Sequence, residues 1–240
     1  ALRNARFLTS SSGRPLRILA EYFEPRMRFA ESKVRDTIVF FGSARVKSRE
    51  EAEDLLNRYG PRIVLFVGKF RYYKGLEILL QAVQSVDATL LLVGSGPVEH
   101  DLKRYVQERG LQDKVVFTGE VPDEDIHAFY EASKVVVLPS LYKSEAFGLV
   151  LLEAMCFGKP VVSTELGTGT SFVNQNDRTG IVVPPGNAGA LSRAISKLLD
   201  NADLCASYGQ AGRQRVCRIF DLQMMVDQLI QVYTSVLSNQ

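Results

Sequence analysis

Two carboxylates, Glu145 and Glu153, stand eight positions apart in the stretch Pro139–Gly158, PSLYKSEAFGLVLLEAMCFG. A Phe147-Gly148 pair follows the first, and an apolar run carries the second. A helix starting near Phe147 puts Glu145 at its mouth and Glu153 about two turns further in. At a rise of about 1.5 Å per residue, that spacing is roughly 12 Å along the axis. The span suits a ligand with a hydroxyl-rich group at each end and a diphosphate between them. The helix N-terminus would offer that anion free N–H groups and the positive end of its dipole. A nucleotide-sugar has this form.

A second cluster lies upstream, in Val67-Gly68-Lys69-Phe70-Arg71-Tyr72-Tyr73-Lys74-Gly75. A strand ends near Gly68 and a helix begins near Gly75. Lys69 and Lys74 between them could both face a bound diphosphate. Departure of a nucleoside diphosphate builds negative charge, and fixed cations stabilise it without a metal. Two solvated surface lysines are the plainer reading, which the glutamate segment weakens. Glu145 could accept hydrogen bonds from sugar hydroxyls, or serve only to cap the next helix. Glu153 is flanked by Leu151, Leu152 and Met155. It could accept from ribose hydroxyls or be only an exposed helix residue; a carboxylate on a mostly apolar helix is costly unless partnered, which favours a functional role.

No metal site is expected. His100 and His127 stand alone, and no Asp-x-Asp pair ends a strand. Asp123-Glu124-Asp125 reads as the acidic first turn of a helix.

The elements that must hold these groups follow from the apolar rhythm after residue 61. Candidate strands are Ile63–Val67, Thr89–Val93, Val115–Thr118, Val135–Leu138, Val161–Ser163 and Ile181–Val183. Several are Val/Leu/Ile runs without alternation, as in strands buried on both faces. Candidate helices between them are Gly75–Val86, Val98–Arg109, Asp123–Ala132, Phe147–Phe157 and Ala188–Leu199. Asp203–Cys217 and Asp221–Leu237 close the chain, the last with Met225, Leu229, Val232, Tyr233 and Val236 as a core-facing stripe. The rhythm predicts an α/β fold, a Rossmann-like, doubly wound parallel sheet. Ligands of such sheets sit beyond the carboxyl ends of the strands. Those ends read Gly68-Lys69, Gly94-Ser95-Gly96-Pro97, Gly119-Glu120, Pro139-Ser140 and Thr164 to Thr170. Glycine there lets backbone approach a phosphate closely.

Residues 1–60 differ in character. Pro15–Val34 reads as partly helical and Thr37–Phe41 as a strand. A turn at Gly42-Ser43-Ala44 and a helix over Ser48–Leu56 follow. Tyr59-Gly60-Pro61 is turn chemistry and the expected junction between an N-terminal helix–strand–helix segment (1–60) and the main domain (61–240). The N-terminus, Ala1-Leu2-Arg3, lacks an initiator Met, as a fragment would.

Bulk properties exclude rather than assign. The 240 residues are 46% hydrophobic and 23% charged, ordinary for a globular protein. A formal net charge of +2 makes no demand for nucleic acid, although residues 1–60 are net basic and the rest net acidic. No apolar run approaches the roughly 20 residues that span a bilayer. Cys156, Cys205 and Cys217 show no Cys-x-x-Cys spacing and read as thiols in a reducing, cytoplasmic setting.

Six segments together carry a resemblance: VGKFRYYKG (67–75), VGSGP (93–97), VVFTG (115–119), SEAFGLVLLEAM (144–155), GKPVVSTELGTGT (158–170) and TGIVVPPGN (179–187). In this order and spacing, residues 61–240 resemble the C-terminal, donor-binding domain of a retaining GT-B glycosyltransferase of the glycosyl transferases group 1 family. The glutamate pair matches that family's E-x7-E motif. The resemblance implies that Lys69 and Lys74 contact the donor diphosphate and that Glu145 holds the sugar, these three being the catalytic set. Ala146, Phe147, Gly148 and Leu149 lie near sugar and phosphate, the last three offering backbone amides, and Glu153 binds the ribose. Gly68, Gly94 and Gly96 line the phosphate rim, and Thr118 and Gly119 flank the base. Lys69 stands where the family usually has Arg, so one ammonium replaces a bidentate fork.

The implied chemistry is metal-independent hexosyl transfer from a UDP- or GDP-sugar to an acceptor hydroxyl, with no cofactor and with retention at the anomeric carbon. The acceptor is a glycan, a lipid-linked sugar or another hydroxyl compound. The implied place is the cytoplasm or the inner face of the membrane. A complete enzyme of this kind carries a second Rossmann-like domain before residue 61, so the chain alone is expected to transfer weakly or not at all. Residues 14–53 instead resemble the opening of the LOG-type, lysine-decarboxylase-like phosphoribohydrolases, through Phe41-Gly42-Ser43-Ala44-Arg45. That family's PGGxGTxxE segment is absent from the sequence. The pairing implies a chimera, whether a natural fusion, an engineered join or a misassembled sequence. Two other functions stay open at this point. One is a non-catalytic nucleotide-binding or assembly module, oligomerising through residues 1–60. The other is a nucleoside-monophosphate phosphoribohydrolase fragment.

Overall fold

A computed structural model describes residues 42–220 and, beyond them, residues 224, 226, 227, 230, 231 and 234. By backbone contacts the chain divides into two units, Ala1–Ser43 and Ala44–Gln240. The fold below is that of the second. The expected helix in Pro15–Val34, the strand Thr37–Phe41 and the stripe Met225, Leu229, Val232, Tyr233 and Val236 lie outside the described residues. So do most of the residues that resemble the phosphoribohydrolases.

Six strands form one parallel sheet: β1 (Ile63–Val67), β2 (Thr89–Val93), β3 (Val115–Gly119), β4 (Val135–Leu138), β5 (Val161–Thr164) and β6 (Gly180–Val183). Their spatial order is β3-β2-β1-β4-β5-β6. This is the doubly wound, Rossmann-like order expected from the sequence, and its direction reverses between β1 and β4. Burial explains the composition. Ile63, Val64, Leu65 and Phe66 of β1 and Leu90, Leu91 and Leu92 of β2 are wholly buried, so apolar side chains fill both faces. The edge strands β3 and β6 keep partly exposed residues.

Among the described residues the helices are α1 (Gly42–Tyr59), α2 (Leu76–Val83), α3 (Glu99–Glu108), α4 (Ile126–Ala132), α5 (Leu149–Cys156), α6 (Gly169–Val173), α7 (Ala188–Leu199) and α8 (Ala202–Ile219), with a 3-10 turn at Tyr72–Lys74. α2 packs on α7, and α5 on α8. Among the described residues no helix is long and apolar enough to cross a membrane.

Four expectations change. Gly42-Ser43-Ala44 is not a turn, because one helix runs from Gly42 to Tyr59. No proline interrupts that stretch, so nothing breaks its hydrogen-bond ladder. Ala52 of this helix is buried, and Leu55, Leu56 and Tyr59 pack against the core. α4 begins at Ile126 rather than Asp123, since Pro122 opens a turn closed by Asp125 N–H on the Pro122 carbonyl at 3.0 Å. α5 begins at Leu149 rather than Phe147, because Gly148 takes a left-handed conformation, φ 78°. α6 was not foreseen; its five residues are too few to show a period.

Two loops meet where the strand order reverses. The turn after β1 ends at Gly75, φ 67°. A Cβ on Gly75 would stand 2.1 Å from the carbonyl oxygen of Pro139, just after β4. Beside this contact, Leu141 N–H donates to the Tyr73 carbonyl at 2.7 Å. Gly110 has a similar φ of 65° but nothing within 4 Å of its Cβ position. Gly110→Ala should therefore cost only the left-handed penalty, about 1–2 kcal/mol. Gly75→Ala adds a backbone overlap and should cost more than about 3 kcal/mol. Thermal unfolding of both variants checks this, and equal losses would show that the two loops do not touch as described.

Candidate functional site

The carboxyl ends of β1, β2 and β4 open onto a cleft of 1030 Å³. The turn after β1 contributes Gly68, Lys69 and Lys74. β2 contributes Gly94 and Ser95. The loop between β4 and α5 contributes Ser144 to Gly148, and α5 contributes Leu149, Glu153 and Cys156.

At one end Lys74 Nζ donates to Glu145 Oε2. The side chains are 14% and 10% exposed, so the pair sits nearly out of water. Ser140 Oγ donates to the same carboxylate oxygen at 2.9 Å. Thr168 Oγ1 donates to the Glu145 carbonyl at 2.8 Å, and Gly169 N–H to the Ala146 carbonyl at 2.8 Å. Three strand-end loops, after β1, β4 and β5, thus fix one carboxylate. Glu145 is not the cap of α5. That position is Gly148, and no side chain caps the helix. Glu145 also precedes the helix, so the spacing along a helix axis does not describe its distance from Glu153.

On the opposite lip Lys69 Nζ lies 2.9 Å from Glu120 Oε1, with both side chains more than half exposed. Ser95 Oγ donates to the same oxygen at 2.6 Å. The Ser95 hydrogen bond first, and then the Lys69 ammonium, hold the Glu120 carboxyl below the usual carboxylate range.

Along the floor Tyr130 of α4 donates its phenolic proton to Glu153 Oε2 at 2.6 Å. The Tyr130 ring stacks on Phe157 at 5.2 Å between centroids, 11° from parallel, and His127 lies 5.3 Å from the same Phe157 ring. Burial first, and then the Glu153 charge, push the Tyr130 phenol well above its ordinary range. Burial likewise raises the Cys156 thiol, and all three cysteines are free.

Of the expected site residues, Gly68, Lys69, Lys74, Gly94, Glu145, Ala146, Phe147, Gly148, Leu149 and Glu153 share this lining. Gly96, Thr118 and Gly119 are not on it. Gly96 is closely packed, since a Cβ there would fall 2.3 Å from the Phe70 carbonyl oxygen. Thr118 turns its hydroxyl to the carbonyls of Leu92 and Gly119, at 3.3 and 3.1 Å. Ser140, Thr168, Glu120 and Tyr130 carry contacts to which the sequence reading gave no role. Among the described residues no group of His, Cys, Asp and Glu is placed to hold a metal ion.

The cleft offers cationic, anionic and hydroxyl-accepting groups at the switch point of a doubly wound sheet, where such folds bind ligands. Comparison with known proteins agrees with the architecture. The family model described as glycosyl transferases group 1 matches residues 47–215. The O-antigen chain mannosyltransferase C of Escherichia coli is 42% identical over 181 residues, covering 75% of this chain and 48% of that protein. The D-rhamnosyltransferase WbpZ of Pseudomonas aeruginosa is 41% identical over 171 residues, covering 71% and 45%. Among solved structures, the sucrose-phosphate synthase of Thermosynechococcus elongatus superposes with a TM-score of 0.69 at 35% identity, covering 80% of this chain and 49% of that one. The chain spans about half the length of the curated relatives it matches. With its strand order, cleft position and 47–215 match taken together, this chain belongs to the glycosyl transferases group 1 family, and its sheet is the C-terminal, Rossmann-like domain of the GT-B fold.

Proposed function

We propose that the cleft binds the nucleotide-sugar donor, UDP- or GDP-linked, of a retaining, metal-independent hexosyl transfer to an acceptor hydroxyl. Donor binding is the part proposed for the described residues, and transfer is the part proposed for the whole enzyme. The observation that carries it is the Lys74–Glu145 pair, fixed between the loops after β1 and β4. In this reading Lys74 and Lys69 face the diphosphate. Their charge stabilises the nucleoside diphosphate as its bond to the sugar breaks. Glu145 accepts hydrogen bonds from the sugar. The first amides of α5, left without a side-chain cap, lie where phosphate oxygens can accept from them. Glu153 accepts from the ribose.

The electrostatics favour this division. Lys69 and Lys74 each already hold a carboxylate, so an arriving diphosphate competes with Glu120 and Glu145. The Glu120 pair is exposed and weak, and Lys69 can leave it readily. The Glu145 pair is nearly buried, so Lys74 serves both anions where it stands.

Calorimetric titration with UDP and GDP, in EDTA, tests the reading. One of them should bind. A Lys74→Ala variant should lose at least about tenfold in affinity, the worth of a charged hydrogen bond. Flat heats for both nucleotides with the wild-type chain would sink the proposal. Glu145→Gln should not weaken nucleoside diphosphate binding. It should remove the extra affinity of a UDP- or GDP-hexose over the free diphosphate, and a full sugar increment in that variant would clear Glu145 of the role.

Glu120→Gln should tighten diphosphate binding by about two- to fivefold, since it releases Lys69 and removes a repelling charge near the anion. The gain should shrink as salt rises. Weaker binding by this variant would show that Glu120 supports the ligand rather than competing with it.

A further inference from the structure

Glu153 has three rotatable bonds and sits on the second turn of α5, facing an open cleft. Left alone, such a side chain samples many rotamers, and ordering it on a ligand costs entropy. Here it is not left alone. Tyr130, only 1% exposed, reaches from α4 and donates to Oε2 at 2.6 Å. The tyrosine is itself locked. Its ring is clamped by the stacked Phe157, and its backbone belongs to a helix whose Ala128 and Ala132 are buried.

The raised phenol stays protonated, so it acts only as a donor toward the carboxylate. A carboxylate offers about four lone-pair sites on its two oxygens. Tyr130 uses one of them. Among the described residues no other group bonds the Glu153 carboxylate, so Oε1 and the second lone pair of Oε2 remain for a ligand in the cleft. A cis vicinal diol presents two O–H donors side by side and matches two such acceptors. A ribose carries this diol, and a 2′-deoxyribose does not.

We infer that Tyr130 is a positioning residue that pre-orders Glu153 for the ribose cis-diol and thereby makes the cleft select ribonucleotides over deoxyribonucleotides. The inference rests on the donor-binding reading above and adds a specificity to it. Tyr130 touches no ligand atom in this account; it acts through Glu153.

The test is titration of this chain with UDP, GDP and their 2′-deoxy counterparts. The wild-type chain should prefer the ribonucleotide by about tenfold or more, one charged hydrogen bond's worth. Tyr130→Phe keeps the ring on Phe157 and removes only the hydroxyl. It should narrow the preference to within about twofold, while affinity for the deoxy form stays put. Glu153→Asp draws the carboxylate back along the surface of α5, out of reach of Tyr130, without touching the core. It should narrow the preference equally, and the double variant should do no more than either single one. Circular dichroism checks that Tyr130→Phe is folded, and Phe157→Leu, which frees the stacked Tyr130 ring while leaving Glu153 itself unchanged, is the second route and should narrow the preference in the same direction. Equal losses for ribo and deoxy forms would mark Tyr130 as merely structural, and an undiminished preference in either variant would also overturn the inference. Failure of the wild-type chain to bind any of the four nucleotides would remove the donor reading and this inference with it.

Discussion

One carboxylate held nearly out of water sets the terms for the whole site. Glu145 is 8% exposed, and its partner Lys74 comes from a different strand-end loop. Taking two charges from water costs several kcal/mol per ion, and each is tolerable only while the other stays in place. The fold must therefore bring the loop after β1 against the loop after β4. It does so because β1 and β4 are neighbours at the point where strand order reverses. The close approach of Gly75 to Pro139 and the Leu141–Tyr73 hydrogen bond complete the joint. Ser140 adds a second donor to the carboxylate, and Thr168 ties down its backbone. Sheet topology, loop packing and site chemistry are here one constraint.

The two lysines of the cleft differ for the same reason. Lys69 and Glu120 stand in water, where screening and side-chain entropy leave an ion pair worth little. Lys74 and Glu145 stand in a poorer solvent, where the same attraction is several times stronger. An anion entering the cleft thus meets one cation that can swing and one that is fixed. On the proposed reading, the mobile lysine adapts to the diphosphate, and the fixed one sets where the bond to the sugar must lie.

Much of this was legible in the sequence. The unbroken apolar runs IVLFV and TLLLV gave strands buried on both faces, and β1 and β2 occupy the same residues as expected. Lys74, Glu145 and Glu153 stood out because charged residues beside glycine turns and within an apolar helix need a reason to be there, and all three line the one cleft. What escaped the sequence is what depends on distance along the chain. Tyr130 lies 23 positions before Glu153, and nothing in its own helix marks it as that residue's partner. Ser140 and Thr168 stood among the strand-end residues of the rim, but that they hold Glu145 depends on the sheet that brings the loops together. The tight contact of Gly96 with the Phe70 backbone is likewise invisible in the sequence, because a glycine that admits a phosphate and one that admits a neighbouring loop look alike. Helix starts slipped at Asp123 and Phe147, where local turn chemistry at Pro122 and Gly148 overrode the apolar pattern.

Gly148 shows how one residue can serve packing and chemistry together. Its φ of 78° admits no ordinary side chain cheaply, and a Cβ there would press to 2.8 Å from Leu138 Cδ2 on β4. Packing alone therefore calls for glycine. Yet glycine at an N-cap also brings no side-chain oxygen to the first turn, whereas Asn187 and Asn201 close the first turns of α7 and α8 from within. The open end of α5 lies on the cleft, between the loop that carries Glu145 and the turn that carries Glu153. Its unpaired amides and dipole then favour negative charge there, by about 0.3–1 kcal/mol at an exposed end and more when partly buried. The steric demand of the β4 contact and the electrostatic demand of a diphosphate are met by the same missing side chain.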